Sequence, residues 1–180
     1  MKKQSSIDLK EKQRVEIFNN GNIQIRRSTH GAGFSYFANK NFKKGDLVMQ
    51  LFGKLIDHQT NHYSVQIGYS HHILPYRLTG KYLNHSCEPS CYISTGENGF
   101  PRLMAKNKIE KGEEINFAYW MSEFMWNKHA SENTVSCLCN TPSCKHKIIS
   151  YSQLSDKDKK LCKNYISTYL LNQTGSNFGK

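Results

Sequence analysis

Alternation of apolar and polar residues predicts short β-strands in the N-terminal third of the chain. Residues 15–18 and 23–26 alternate in this way on either side of residues 19–22, an Asn- and Gly-rich segment typical of a β-hairpin turn. Residues 33–38 and 47–52 are two further apolar segments, separated by a turn rich in Lys and Asn. They predict two more strands, because short apolar runs bounded by turn residues are typical of strands.

A short sequence pattern occurs twice, 67 residues apart. A single echo does not indicate a repeat protein, since stacked repeats need three or more copies. It predicts two similar strand–turn–strand units, each turning at a glycine, because glycine adopts a left-handed backbone conformation without a Cβ penalty. The matched pairs are Ala38 and Ala105, Phe42 and Ile109, Lys44 and Lys111, Gly45 and Gly112, and Asp46 and Glu113.

The apolar pattern changes after residue 154, where spacings of one, three and four residues predict an amphipathic helix. Ser155 is suited to cap its N-terminus, and Asp158 places a negative charge near the positive end of the helix dipole. Residues 175–180 lack this periodicity and are expected to fray. The apolar face consists of Leu161, Cys162, Tyr165, Ile166, Tyr169 and Leu170.

The composition indicates a globular protein with a basic surface. Of 180 residues, 37% are hydrophobic and 12% aromatic, enough to bury a core, and 25 Lys and Arg against 14 Asp and Glu give a formal net charge of +11. No apolar run approaches the ~18 residues of a membrane span. Residues 1–13 contain no apolar signal segment, so we expect an intracellular protein of the cytoplasm or nucleus, or of a host nucleus if it is a secreted effector.

Three of the six cysteines, Cys137, Cys139 and Cys144, fall within eight residues around a Pro-containing turn. In a reducing compartment such a cluster is typical of a metal site, and converging thiolates suit zinc, which takes four tetrahedral ligands at ~2.3 Å. Four thiolates would leave no position open for water, so the site would be structural. The candidates for the fourth ligand are Cys87, Cys91, Cys162 and His146.

An aromatic and Met-containing stretch at residues 120–126 fits either core packing or the rim of a substrate site. For any single aromatic residue there, core packing is the better expectation.

Two further segments have the polar residues of a candidate active site. Residues 82–89 (YLNHSCEP), taken alone, form a polar turn before an X-Pro bond, and residues 112–119 (GEEINFAY), taken alone, form a strand with a core tyrosine. Together with residues 31–34 (GAGF) and the cysteine cluster, in this order along the chain, they resemble the SET-domain methyltransferases that carry a post-SET zinc segment.

The resemblance implies a mainly β fold with few helices, built from short curved sheets around a knot-like crossing. In that crossing the segment bearing Tyr119 would pass through a loop closed near Asn84. The resemblance covers residues 17–149 and extends to the C-terminal helix. The implied organisation is a polar N-terminal arm at 1–14, a SET domain at 15–130, a post-SET zinc segment at 131–150, and an amphipathic helix and tail at 151–180.

The resemblance also implies an activity, the S-adenosylmethionine-dependent methylation of a lysine on a histone or another basic protein. Tyr119 would be the catalytic tyrosine. Phe117 would line the lysine channel, where Phe is associated with di- or trimethylation and Tyr with monomethylation. The implied contacts of S-adenosylmethionine are Gly31, Gly33, Phe34, Asn84 and His85. The implied ligands of one structural zinc ion are Cys87, Cys137, Cys139 and Cys144.

The chain departs from the family pattern at four places. Ser90 replaces the Asn that usually follows the proline, which removes an amide and predicts a more loosely held turn. Ala118 replaces an Asp that often precedes the tyrosine, so the family's substrate contacts at this position do not carry over to this chain. Asn140 replaces a Gly, a mild change because Asn also adopts the left-handed conformation. Residues 145–146 (KH) replace Arg-Gly, which puts contacts beside the adenine in question.

A different interpretation is a zinc-stapled basic module that binds nucleic acid or chromatin without catalysis. Its support is charge alone, and the basic residues are dispersed in doublets such as Lys43 and Lys44. Because histone tails are also basic, a +11 enzyme gains no bulk attraction to a free tail, whereas nearby nucleic acid would supply that attraction. We therefore expect better activity on nucleosomes than on free peptides.

Overall fold

The computed structural model describes residues 21–28, 33–77, 79–96, 99–125 and 135–171. Within these ranges the chain is mainly β, as expected, with few and short helices. The strands are β1 (Ile23–Arg27), β2 (Phe34–Ala38), β3 (Leu47–Gln50), β4 (Gly53–Ile56), β5 (Val65–Gly68), β6 (His71–Pro75), β7 (Asn84–His85), β8 (Cys91–Thr95), β9 (Pro101–Ala105) and β10 (Glu114–Phe117). The α-helices are α1 (Asp156–Cys162) and α2 (Thr168–Leu171).

The described strands form three small sheets, in the orders β1-β2-β10-β7, β3-β9-β8 and β4-β6-β5. β1 confirms the strand predicted at residues 23–26 and pairs antiparallel with β2, whereas the predicted hairpin partner at 15–18 lies outside the described residues. The pairing of β10 with β7 is parallel and aligns Asn116 with Asn84 and Phe117 with His85. This pairing therefore sets the two polar segments singled out by the sequence side by side.

The two copies of the short sequence pattern are joined by a reciprocal pair of backbone hydrogen bonds. The N–H of Phe42 donates to the carbonyl oxygen of Ile109 at 2.8 Å, and the N–H of Ile109 donates to that of Phe42 at 3.0 Å. The turn glycines Gly45 and Gly112 have φ angles of +88° and +94°, in the left-handed region that favours glycine. The two predicted units are therefore present, and they pair with each other around Phe42 and Ile109.

One cluster of buried apolar side chains joins residues of all three sheets with the C-terminal segment. Trp120 and Met121 belong to this cluster, whereas Met125 is mostly exposed, so the described part of the aromatic stretch is largely core. Trp126 lies outside the described residues. The largest fully buried apolar side chains are Tyr36, Phe42, Leu51, Ile73, Ile93, Leu103, Ile109, Ile115, Met121 and Leu170.

The prediction of one continuous C-terminal helix is wrong. The chain forms α1, then a 3₁₀ turn, and the extended backbone of Ile166 separates that turn from α2. The N–H of Ser167 donates to the carbonyl oxygen of Met121 at 2.8 Å instead of to a carbonyl of its own helix, and Ile166 is buried in the core. The predicted N-cap is present, since the Ser155 hydroxyl accepts a 3.1 Å hydrogen bond from the Asp158 N–H.

Among the described residues, every helix falls short of what a membrane crossing requires in length and apolar character. The longer α-helix, α1, has seven residues, against the roughly 20 needed to cross a bilayer.

Candidate active site

A cavity of about 160 Å³ lies where β5, β7 and β10 come together. Val65 of β5, Asn84 of β7 and Phe117 of β10 line it, and Tyr119 and Glu123 contribute from the segment after β10. The parallel pairing of β7 with β10 explains why residues distant in sequence share this wall. Three of the residues predicted for the site, Asn84, Phe117 and Tyr119, are thus brought to one cavity.

Tyr119 presents a fixed hydroxyl group. This hydroxyl donates a 3.0 Å hydrogen bond to the carbonyl oxygen of Leu83. Burial raises the pKa of the Tyr119 phenol, so it stays protonated near neutral pH and can donate a hydrogen bond. The Phe117 ring lies 5.3 Å from the Tyr119 ring and is almost completely buried. Together they form an aromatic wall beside a polar group, suited to hold an apolar stem with a polar end.

His85 joins Tyr119 to the cysteine cluster. Its Nδ1 accepts a 3.1 Å hydrogen bond from the backbone N–H of Tyr119, and its Nε2 lies 3.4 Å from the Sγ of Cys87. Burial lowers the pKa of the His85 imidazole to about 4, so the ring is neutral at physiological pH. Because Nδ1 accepts, the ring hydrogen is on Nε2, directed at the Cys87 sulfur.

Asn84 is held by two acceptors, one at the start of β2 and one at the start of β10. Its Nδ2 donates to the carbonyl oxygen of Phe34 at 3.2 Å and to Oε1 of Glu114 at 3.3 Å. The Phe34 ring is 44% exposed, and Gly33 before it has a φ of +81°, which favours glycine. Of the predicted cofactor contacts, Gly33, Phe34 and Asn84 therefore lie together, while Gly31 lies outside the described residues.

The turn at Ser90 is more firmly held than the loss of an amide predicts. The N–H of Ser90 donates to Oδ1 of Asn116 at 2.9 Å, and the N–H of Asn116 donates to the Ser90 hydroxyl at 3.1 Å. This reciprocal pair fixes the turn to β10 without an Asn at position 90.

The structure gathers four of the six cysteines in one place. The sulfur atoms of Cys87, Cys137, Cys139 and Cys144 all lie within 4.8 Å of one another. Among the other candidates for the fourth ligand, Cys91 is completely buried in the core and Cys162 is part of α1. His146 contributes its backbone, whose N–H points at the Cys144 sulfur at 3.4 Å.

The donor set of this cysteine cluster fits zinc. A tetrahedron with ligands at ~2.3 Å has edges of about 3.8 Å, and the sulfurs of Cys87 and Cys137 are 3.8 Å apart. The N–H of Lys145 is directed at the Cys87 sulfur at 3.4 Å, an arrangement that stabilises a thiolate. Asn140 and His146 have φ angles of +51° and +58°, so two of the positions where the chain departs from the family pattern adopt the left-handed conformation.

A separate contact ties the cysteine segment to the turn after β7. Oε1 of Glu88 accepts hydrogen bonds from the N–H of Ser143 at 2.9 Å and from its hydroxyl at 2.6 Å. Both Glu88 and the neighbouring ligand candidate Cys87 therefore connect the two segments.

The sequence motifs did not single out three residues of this region, Lys81, Glu114 and Glu123. Lys81 and Glu123 line the cavity, and Glu114 accepts hydrogen bonds from Asn84 and from the hydroxyl of Ser28. The sequence does contain a feature that distinguishes Glu123, since it is the only charged residue between Tyr119 and Trp126. A charged residue in an otherwise aromatic and apolar stretch could have been selected from the sequence as a candidate site residue, because charged side chains are seldom fully buried unless they are paired.

Comparison with known proteins identifies the fold. Residues 33–120 match the family model of the SET domain. The fold is similar to that of KRYPTONITE, whose crystal structure contains mCHH DNA, an H3(1-15) peptide and SAH, with a TM-score of 0.57 and 19% identity over 71% of this chain and 29% of that chain. Residues 33–120 are therefore similar to a SET domain, and the expected SET fold is confirmed.

Two curated relatives are histone-lysine N-methyltransferases. The chain is 42% identical over 76 residues to ash1 of Drosophila melanogaster, and 24% identical over 135 residues to the H3 lysine-36 specific enzyme of Kluyveromyces lactis. These matches cover 41% and 64% of this chain but 3% and 18% of the relatives. The chain thus spans a small part of the curated proteins that it matches.

Proposed function

We propose that the chain is an S-adenosylmethionine-dependent protein-lysine N-methyltransferase. The observation that carries the proposal is the placement of Asn84, Phe117 and Tyr119 around one cavity in a SET domain. The curated relatives are named as histone-lysine N-methyltransferases, which supports the same reaction class.

The cavity is suited to activate a lysine amine. A lysine ammonium has a reference pKa of ~10.4, so it must lose a proton before its nitrogen can attack. A narrow aromatic cavity disfavours the charged form, and the positive sulfonium of the methyl donor lowers the lysine pKa further. The Tyr119 hydroxyl, fixed on the Leu83 carbonyl, is placed to orient the neutral nitrogen. Such alignment can supply ~7–11 kcal/mol of a barrier.

S-adenosylmethionine, when bound, supplies a methyl group on a sulfonium that the amine can attack. We assign its contacts to the surface where the start of β2 lies beside β7, because Asn84 is fixed there by the Phe34 carbonyl and His85 follows it. The exposed Phe34 ring offers a face on which an adenine can stack. The proposed contacts are Gly31, Gly33, Phe34, Asn84 and His85.

Phe117 is proposed to set the number of methyl groups. Its ring adjoins that of Tyr119 in the cavity wall, and it adds no hydroxyl there. A methylated amine is larger than an unmodified one and has fewer hydrogens to donate, so an apolar wall accommodates second and third transfers. We therefore propose di- or trimethylated lysine as the product.

We propose that Cys87, Cys137, Cys139 and Cys144 hold one structural zinc ion. Their sulfurs converge, and the Cys87 sulfur also contacts His85, a proposed cofactor contact. The ion would therefore also hold the cofactor-binding residues in position. We also propose the boundaries that the family resemblance implies, namely a polar arm at 1–14, a SET domain at 15–130, a zinc segment at 131–150, and a C-terminal segment at 151–180.

The proposed substrate is a histone or another basic protein, and the proposed location is the nucleus. Both proposals rest on the names of the relatives, and KRYPTONITE was crystallised with an H3(1-15) peptide and DNA. The net charge of +11 supports contact with nucleic acid when the substrate is a nucleosome. A non-catalytic nucleic-acid module would account for the charge but not for a cavity lined by Phe117 and Tyr119.

The test is incubation of the zinc-loaded chain with labelled S-adenosylmethionine and a panel of core histones, nucleosomes and basic cellular proteins, followed by mass spectrometry. The proposal expects methylated lysine in at least one protein and higher rates on nucleosomes than on free histone peptides. Absence of methyl transfer to every protein, together with steeply salt-dependent binding to DNA or RNA, would favour the non-catalytic module.

A further inference from the structure

Glu123 places a carboxyl group in the wall of the cavity that holds Phe117 and Tyr119. Only 4% of its surface is exposed. Its backbone N–H donates a 2.9 Å hydrogen bond to the carbonyl oxygen of Tyr119, so its position follows from that of the tyrosine. No step of the reaction proposed above uses this carboxyl group.

Among the described residues, two groups donate hydrogen bonds to the Glu123 carboxylate, and both donate to Oε1. The backbone N–H of Gln66 donates to it at 2.9 Å and the hydroxyl of Ser122 at 3.2 Å. The Gln66 side chain accepts in turn from the N–H of Phe124 at 2.9 Å, which fixes β5 against this segment. The carboxylate is thus held in one orientation in the cavity wall through Oε1, and none of the described residues donates a hydrogen bond to Oε2.

Among the described residues that line the cavity, Glu123 is the only carboxyl group. Burial raises the phenol pKa values of Tyr119 and of Tyr169 on α2, so both hydroxyls stay protonated. His62 and Tyr63 line the cavity from exposed positions, and Lys81 lines it with a positive charge. Burial raises the pKa of Glu123 to about 7, a value that permits proton exchange near neutral pH.

We infer that Glu123 is the proton acceptor of the reaction and takes a proton from the ammonium group of the substrate lysine before methyl transfer. This inference rests on the proposed function, because it assigns a role within the same cavity. One N–H bond of the ammonium breaks, an O–H bond forms at Glu123, and the electron pair stays on nitrogen. The amine then bonds to the methyl carbon while the carbon–sulfur bond breaks and its electrons go to sulfur. Glu123 afterwards releases its proton to solvent.

Because the carboxylate form accepts the proton, turnover should fall as pH drops through the pKa of Glu123. We would measure kcat/KM for core histones against pH with zinc-loaded chain and saturating S-adenosylmethionine, because kcat/KM reports the pKa of the protein before the acceptor binds. In the wild type, kcat/KM should decline below about pH 7. Glu123→Gln should be roughly 100-fold slower at pH 7.5, and its rate should rise about tenfold per pH unit as the lysine deprotonates in solution. Glu123→Asp should retain the decline below pH 7.

His62→Asn is the matched control for this profile, since the His62 imidazole lines the same cavity from an exposed position. The decline should persist in His62→Asn and vanish in Glu123→Gln. A Glu123→Gln variant that binds S-adenosylmethionine normally and keeps the wild-type profile would overturn the inference.

A second measurement needs neither turnover nor a folded variant. Carboxyl carbon NMR would follow the titration of Glu123 in the wild-type chain with S-adenosylhomocysteine, before and after addition of n-butylammonium as a probe. A cation beside the carboxylate should lower the Glu123 pKa. An unchanged titration would overturn the inference even if histones are methylated. A lowered pKa without methylation of any protein would instead contradict the proposed function and leave the amine site standing.

Discussion

The backbone N–H of Tyr119 donates a 3.1 Å hydrogen bond to Nδ1 of His85, whose Nε2 lies 3.4 Å from the sulfur of Cys87. One neutral imidazole therefore connects the residue proposed for catalysis to a proposed zinc ligand. Asn84, a proposed cofactor contact, precedes His85 in the same short strand. A change in the cysteine cluster should consequently alter the positions of the residues that line the cavity.

We predict that loss of the metal weakens cofactor binding as well as stability. Cys137→Ser should lower the zinc content well below one ion per chain and weaken S-adenosylmethionine binding at least tenfold, because Cys87 and His85 lose their fixed positions. Metal analysis and isothermal titration calorimetry measure the two effects. Cys162→Ser is the control, since this thiol lies outside the cluster and should keep both properties. Unchanged cofactor affinity in metal-free protein would contradict the coupling.

We predict that Phe117→Tyr reduces the number of methyl groups transferred. The added hydroxyl narrows the wall beside Tyr119 and gives the amine a hydrogen-bond partner that disfavours further transfer. The wild type should form di- or trimethylated lysine at long times, and the variant should stop at monomethylated lysine. Mass spectrometry of the modified peptide distinguishes the products. Exclusively monomethylated lysine from the wild type would contradict the role given to Phe117.

We predict that Glu123→Gln changes how stability depends on pH. Burial raises the pKa of this carboxyl from 4.5 to about 7, so the folded state binds the proton more tightly than the unfolded state does. Its favourable contribution is present at acid pH and is lost as pH rises toward and through 7. Between pH 5.5 and 8, the wild type should therefore lose about 2 kcal/mol of unfolding free energy relative to Glu123→Gln.

Urea unfolding of zinc-loaded protein at both pH values checks this difference. Glu110→Gln, which removes an exposed carboxyl, is the matched control and should follow the wild type. Parallel pH dependence in the wild type and Glu123→Gln would show that position 123 does not titrate near neutrality.

We predict that Gly112→Ala destabilises the chain although the added methyl group meets nothing within 4 Å. The φ of +94° is the reason, since a left-handed conformation costs an alanine about 1–2 kcal/mol. Gly68→Ala is the control, because its φ is ordinary and its new Cβ would make normal contact with His71 at 3.5 Å. Equal unfolding free energies for the two variants would argue against the turn geometry.

Features that depend on local sequence could be predicted. The left-handed glycines at 45 and 112, the Ser155 cap and the strand around residues 23–26 each follow from residues close together in the chain. The approach of Cys87 to the C-terminal cysteines is not local, and it was expected only from the family resemblance.

Features that depend on distant partners could not be predicted. The C-terminal helix breaks because Ser167 bonds to the Met121 carbonyl, and helical periodicity contains no information about that partner. The Glu123 carboxylate is oriented by a hydrogen bond from the backbone of Gln66, a residue of β5 that is 57 positions away in the sequence. The reciprocal bonds between Ser90 and Asn116 likewise arise only when the turn meets β10.

Tyr119→Phe tests the central claim most directly, with methyl transfer from labelled S-adenosylmethionine to core histones measured alongside cofactor affinity. The substitution removes one hydroxyl and its bond to Leu83, and Tyr151→Phe is the control at a buried tyrosine that does not line the cavity. The account predicts that Tyr119→Phe binds S-adenosylmethionine as tightly as the wild type and loses nearly all methyl transfer, while Tyr151→Phe keeps it. Wild-type rates of transfer in Tyr119→Phe would contradict the account.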